Sequence, residues 1–199
     1  MPFTGISWHV KAVRTGLLTF ALRLFWEVDL RILFVCTGNI CRSPTAERLS
    51  AGLAAQMGIP DFTASSAGIH AVIGHPIHRF AAEVLIGLGG DPANFAARQL
   101  TPRIASDADL VLTMTSAHRT AVLELAPRQL RRTFTLGEAS LLASTYGART
   151  VADLAPLRLR LNEHQPVEIA DPIGRDLDAF EAVGEQIAAL LPPVIALTR

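Results

Sequence analysis

Apolar residues run without a break from Ile32 to Val35, polarity returns at Thr37, Gly38 and Asn39, and Pro44 then opens an amphipathic stretch from Thr45 to Met57. A short β-branched and aromatic run reads as a buried strand. Proline is tolerated in the first turn of a helix, where its missing N–H would have had no partner. The pattern predicts strand, tight loop, helix. The same alternation continues, with strands over 31–36, 62–66, 109–114 and 132–136 and helices over 44–58, 76–89, 117–126, 137–145 and 176–191. Residues 146–166 carry Gly147, Pro156 and Pro166 with a basic pair, Arg158 and Arg160. They are expected to form a connection of variable structure.

Strands and helices in alternation imply a parallel sheet with helices on both faces. The expected fold is therefore α/β, a three-layer doubly wound sandwich with a four-stranded parallel sheet in the flavodoxin-like order 2-1-3-4. Such sheets bind ligands beyond the carboxyl ends of their strands, where the strand order reverses. The loop after the first strand sits at that point.

With 199 residues, half of them apolar, the chain can bury one full core, and a second domain is not expected. Lys and Arg balance Asp and Glu, so the charge favours neither nucleic acid nor an anionic membrane. The only two cysteines, Cys36 and Cys41, share the first loop, which excludes a disulfide framework and fits a reducing compartment, the cytoplasm. Arg14 and Arg23 bracket only eight uncharged residues, too few for a membrane span of about twenty or for a signal peptide. Two expectations stand for residues 1–30: a misassigned start, with the protein beginning near Val28, or a short helix packed on a domain formed by residues 31–199.

The chemistry is concentrated in residues 36–43. Cys36 and Arg42 stand six apart, and the peptide N–H groups between them can curl inward above a helix N-terminus, which binds anions through unpaired donors and its dipole. Converging amides and an adjacent Arg stabilise a thiolate. Arg42 presents a planar fork suited to two phosphate oxygens at once. Ser43 can hydrogen-bond the sulfur, and Asn39 suits a left-handed backbone position. The stretch reads as a phosphate cradle with a nucleophilic thiol at its base.

Residues 35–47, Val-Cys-Thr-Gly-Asn-Ile-Cys-Arg-Ser-Pro-Thr-Ala-Glu, resemble the signature of the low-molecular-weight protein tyrosine phosphatases. Ser66-Ala67-Gly68, Ala97-Arg98-Gln99-Leu100, Ala108 to Met114 and Ala170-Asp171-Pro172 follow in that family's order, so the likeness spans residues 31–191. The resemblance implies a metal-free phosphomonoester hydrolase working through a phosphocysteine, with no cofactor. It makes Cys36 the nucleophile and Arg42 the phosphoryl-binding cation, and it assigns phosphate binding to Thr37, Gly38, Asn39, Ile40, Cys41 and Ser43. Asp171, its backbone biased away from helix by Pro172, would be the general acid. Asp176 and Asp178 are rivals that also read as the N-terminal residues of the last helix. Ser66 would hydrogen-bond the loop, or is a plain hydroxyl at a strand end. Cys41 either closes a protective disulfide with Cys36, as in resembling enzymes, or is a small apolar side chain under the loop.

Two features depart from the family. Ala71 and Ile173 occupy positions where phosphotyrosine-selective members usually carry rim aromatics, and Phe95 stands where many have a histidine that buttresses the loop. His70, His75 and His78 cluster, but with no standard zinc spacing, and are expected at the cleft rim or in solvent. The leading reading is a phosphatase acting on phosphotyrosine proteins or small phosphomonoesters, with no nucleic acid partner and no membrane span. An arsenate reductase of the same fold, which usually needs further cysteines, and a phosphate-binding module without turnover are the alternatives.

Overall fold

The computed structural model describes residues 30–59, 62–163 and 165–198. The reading of residues 1–30 therefore lies, Leu30 apart, outside the described residues. Four strands, β1 (Arg31–Cys36), β2 (Thr63–Gly68), β3 (Leu110–Thr113) and β4 (Thr133–Thr135), form one parallel sheet in the order β2-β1-β3-β4. This is the expected 2-1-3-4 order. β1 is buried on both faces, which explains its unbroken apolar run. Ile32, Phe34 and Cys36 point into one core with Leu110, Leu112 and Phe134. Leu33 and Val35 point into the other with Val111.

The first core is covered by α1 (Arg42–Gln56), α5 (Leu136–Ser144), α6 (Val151–Leu157) and α7 (Leu177–Ile195), through Ala46, Ala54, Leu142, Leu154, Ile187 and Leu191. The second is covered by α3 (Pro102–Ser106) and α4 (Ser116–Leu125), through Ala105 and Val122. α2 (Arg79–Gly87) packs outside, with Ala81, Val84 and Leu85 against Phe180 of α7. Full burial of such side chains is worth about 1.5–3 kcal/mol each, so the two cores hold β1, and the loop that follows it, rigidly from both sides.

Three expectations need correction. The helix expected over 76–89 begins only at Arg79, because the N–H groups of Ile69, His70, Val72 and His78 are taken up by carbonyls of the loop after β1, which holds the segment out of helix up to that point. Residues 146–166 are not a loose connection. Thr150 and Asp153 form a capping box that starts α6, and a 3-10 segment, Arg158–Glu163, follows. The basic pair Arg158 and Arg160 is anchored on aromatic rings, Arg158 half-buried and Arg160 exposed. Arg158 lies 3.9 Å over the Phe134 ring and donates to the carbonyls of Leu130 and Thr133, and Arg160 lies over Tyr146. α3 was not expected. It is a five-residue helix that Thr101 caps through the Ile104 N–H and that Pro102 opens.

Candidate active site

The loop after β1 is held from outside by its carbonyls. Those of Cys36, Thr37, Gly38 and Ile40 accept from the N–H groups of Ile69, His70, Val72 and His78 at 2.6–3.0 Å. In a planar trans peptide the C=O of one residue opposes the N–H of the next, so turning these carbonyls outward turns the following N–H groups inward. Among the described residues no protein acceptor takes up the N–H of Gly38, Asn39 or Cys41. Cys41 begins α1 without a side-chain cap, so the helix N-terminus opens on the same space. Asn39 takes the left-handed conformation that closes the loop, φ 55°.

The side chain of Asn39, wholly buried, braces this turn with every polar atom used. It donates to Ser43 Oγ at 3.0 Å and to Ser66 Oγ at 2.8 Å, and it accepts from the Arg98 N–H at 2.9 Å. Ser66 in turn donates to Glu47 at 2.6 Å. Since Ser43 Oγ accepts from Asn39, its own hydrogen is free for the Cys36 sulfur, 3.0 Å away. That contact stabilises negative charge on the sulfur. Glycine is required at one point behind the loop: a Cβ on Gly68 would stand 2.5 Å from the Thr37 carbonyl oxygen.

Arg42 is only 3 % exposed. Its Nη1 donates to the Ile169 carbonyl at 3.2 Å and its Nη2 to the Asp171 carboxylate at 2.5 Å, with Thr37 Oγ1 at 3.4 Å from Nη2. Its Nε is buried and has no partner among the described residues. Buried donors are rarely left unmatched, so this one marks a place for an external acceptor. Asp171 arrives on a strap across the carboxyl end of the sheet. Glu168 accepts from the Ser116 N–H, Ile169 donates to the Met114 carbonyl, and the Val167 carbonyl presses where any side chain on Gly137 would lie. The Ile173 N–H fixes the other carboxylate oxygen of Asp171, and Pro172 beneath it is buried. The cleft so formed, about 210 Å³, has Cys36 and Arg42 in its floor and His70, Val72, Asp171 and Ile173 around it.

The family model described as low molecular weight phosphotyrosine protein phosphatase matches residues 31–153. The chain belongs to this family. A low-molecular-weight protein-tyrosine-phosphatase of Salmonella typhi, Wzb, is 33% identical over 153 residues, 77% of this chain and 83% of that one. The crystal structure of the tyrosine phosphatase AmsI of Erwinia amylovora superposes with TM-score 0.63 at 30% identity, covering 83% of this chain and 90% of that one. The arginine phosphatase YwlE of Geobacillus stearothermophilus matches with TM-score 0.65 at 30% identity, covering 83% and 90%. The chain is accordingly a phosphatase of the low-molecular-weight type, and these relatives do not favour the arsenate-reductase and binding-module alternatives.

Within this phosphatase the residues singled out in sequence converge around one cleft. Cys36, Thr37, Gly38, Ile40, Cys41, Arg42 and Asp171 line it, Asn39 and Ser43 brace it, and Ser66 bonds the loop through Asn39. The family model ends before Asp171, so that residue is placed by its bond to Arg42. Asp176 caps α7 through the Ala179 N–H, and Asp178 is exposed in its first turn. Both cysteines are free, and burial, helped by the charge of Cys36, pushes the Cys41 thiol up to about 12. Cys41 packs with Ile77, Ala81 and Phe180 as a small apolar side chain.

The rim differs from the expected one. Ala71 turns its N–H to Gln99 and lies against the space beside Gly68, while Val72 and His70 line the cleft with Ile173. Phe95 lies in the outer cluster with Arg48 over its ring, and Tyr146 packs in the main core. Neither supplies an aromatic wall. Of the clustered histidines, His70 is at the rim and His75 is exposed. His78 is at neither place: it stacks on Phe180 at 4.8 Å. Sequence reasoning missed Glu47, Arg98 and His118. The first two sat in quoted motifs without a role. His118, buried between Thr37 and Thr115, had no signal beyond being a histidine early in a helix.

Proposed function

We propose that this phosphatase hydrolyses phosphate monoesters through a phosphocysteine on Cys36, with protein phosphotyrosine as its substrate class. The observation that carries the reading is the unmatched Arg42 Nε beside inward N–H groups above the Cys36 sulfur. Together they leave donors for the three non-bridging oxygens of a phosphoryl group. Cys36 attacks phosphorus, the P–O bond to the leaving group breaks, and the departing oxygen takes a proton from Asp171. Water deprotonated by Asp171 then attacks the phosphocysteine and releases phosphate. In the resting site Arg42 Nη2 holds Asp171. A phosphate that takes this donor frees the carboxyl group to reach the leaving oxygen, so binding itself deploys the acid. Thiolate chemistry of this kind needs a reducing compartment, which supports a cytoplasmic location. No helix among the described residues is long and apolar enough to cross a membrane.

The aliphatic walls, Ile40, Val72 and Ile173, favour an uncharged aryl leaving group over a guanidinium, for which, among the described residues, Asp171 is the only carboxylate lining the cleft. Peroxide would convert the Cys36 thiolate to a sulfenic acid, and attack by the Cys41 thiol would then give a disulfide and water. The test is hydrolysis of a generic aryl phosphate, then of phosphotyrosine, phosphoserine and phosphoarginine peptides. Activity should be highest on phosphotyrosine and vanish in Cys36→Ser. Turnover that survives Cys36→Ser would overturn the mechanism, and preference for phosphoarginine would overturn the substrate class.

A further inference from the structure

His118 is 5 % exposed, in the first turn of α4, and its ring bridges two hydroxyls. Nδ1 lies 2.9 Å from Thr115 Oγ1 and Nε2 lies 2.9 Å from Thr37 Oγ1. Hydrogen-bond bookkeeping fixes how the three are arranged. Thr115 Oγ1 caps the helix by accepting the His118 N–H at 3.3 Å, and Nδ1 is the one acceptor within reach of its own hydrogen among the described residues. Nδ1 therefore accepts, and the ring proton sits on Nε2, which donates to Thr37 Oγ1. Arg42 has only donors, so Thr37 Oγ1 accepts from Nη2 as well. With both lone pairs taken, the Thr37 hydroxyl hydrogen is left over, on a residue that lines the cleft.

We propose that the Thr37 hydroxyl, oriented by His118, is a substrate-binding donor that hydrogen-bonds the phosphoryl oxygen held by Arg42. His118 is its positioning residue. A neutral ring is required, because an imidazolium would donate from Nδ1 and leave the Thr115 hydrogen without an acceptor. Burial first, and then the charge of Arg42, press the ring toward neutrality and bring its pKa down to about 4, against the opposing pull of Asp171 and Glu168. Thr37 is thus more than a backbone contributor to the cradle: its side chain adds a donor beside the guanidinium.

This inference rests on the phosphatase reading, and the experiment separates the two. Inhibition by inorganic phosphate and kcat/KM on an aryl phosphate are measured for Thr37→Val, His118→Asn, the double variant and His118→Gln. Each of the first two should weaken phosphate inhibition about ten- to a hundredfold, the worth of one hydrogen bond to a charged group. The double variant should be no worse than the weaker single, because both remove one interaction. His118→Gln, whose amide reaches as far as Nε2, should fall nearer the parent than His118→Asn does. Thr37→Val inhibited like the parent, or losses that multiply in the double variant, would overturn the proposal. Thr37→Val decides the matter even if the His118 variants fail to fold. If the parent loses no activity in Cys36→Ser, it is the phosphatase mechanism that has failed instead.

Discussion

Gly68→Ala probes the cradle without touching any of its chemical groups. An added Cβ would lie 2.5 Å from the Thr37 carbonyl oxygen and 3.0 Å from the Ala71 Cα, where real contacts of this kind start at 3.0 Å. The opening needed is about half an ångström, and Gly68 cannot retreat. Its N–H is held by the Arg98 carbonyl at 3.0 Å and its carbonyl by the Leu100 N–H at 2.7 Å. The movement therefore falls on Thr37, whose carbonyl must stay bonded to the His70 N–H for its neighbours to face the phosphate. Overpacking of this size costs about 1–3 kcal/mol, or a Tm lower by roughly 2–10 °C for a domain of this length. A shift of up to an ångström in a reacting group can cost about a hundredfold in rate. We expect kcat/KM on an aryl phosphate to fall about ten- to a hundredfold in folded protein. Gly52→Ala is the control, since its Cβ meets nothing within 4 Å inside α1, and it should raise stability by about 0.5–1 kcal/mol with activity intact. Gly68→Ala within twofold of the parent would refute the claim that this close approach shapes the loop.

Gly137→Ala aims at the other half of the machinery: its Cβ would meet the Val167 carbonyl at 2.1 Å, so it should displace the strap that carries Asp171. The expected signature is a loss of kcat with near-normal inhibition by inorganic phosphate, measured side by side with Gly68→Ala. Asp171→Asn should slow alkyl phosphates by about 10²–10⁴-fold and nitrophenyl phosphate far less, because a good leaving group needs no proton; an equal loss on both would move the acid role elsewhere. His118 sets an acid sensitivity. Its pKa is lowered from 6.5 to about 4, so the unfolded chain takes up this proton first. Stability is fully present above pH 6.5 and falls progressively as pH drops toward 4, by up to about 3 kcal/mol. Denaturant titrations over that range should show a slope that His118→Asn flattens.

How much of this was legible in the chain depends on how local each feature is. The cradle could be read because its nucleophile, turn residue and cation lie within one short loop, Cys36 to Arg42, and because Asn39 and Pro44 carry their backbone preferences with them. β1 and β3 were legible from their apolar runs, since every residue of β3 and all but the first of β1 are buried, while β2 and β4 are rich in Ser and Thr and legible from the alternation with helices. α3 and α6 escaped because each is seven residues or fewer, too short to establish a period. Their signals were the caps at Thr101 and Thr150, not the apolar pattern. Asp171 stands 129 residues from Arg42, and a turn-forming Asp-Pro pair says nothing of where the fold delivers it; the resemblance supplied that. Close approaches at Gly68 and Gly137 and the ring of His118 between two hydroxyls are tertiary facts, invisible to any window along the sequence. In sequence Arg158 stands only as one of a basic pair in a connection of variable structure, yet its planar cation covers a core phenylalanine.

The most direct test of the mechanism is to quench the parent enzyme with acid during turnover of an aryl phosphate and map the phosphoryl group by mass spectrometry. The account predicts one phosphoryl group on the peptide that contains Cys36, localised to its sulfur and absent from Cys36→Ser. Label on Ser43, or turnover without any phosphoenzyme on Cys36, would contradict it.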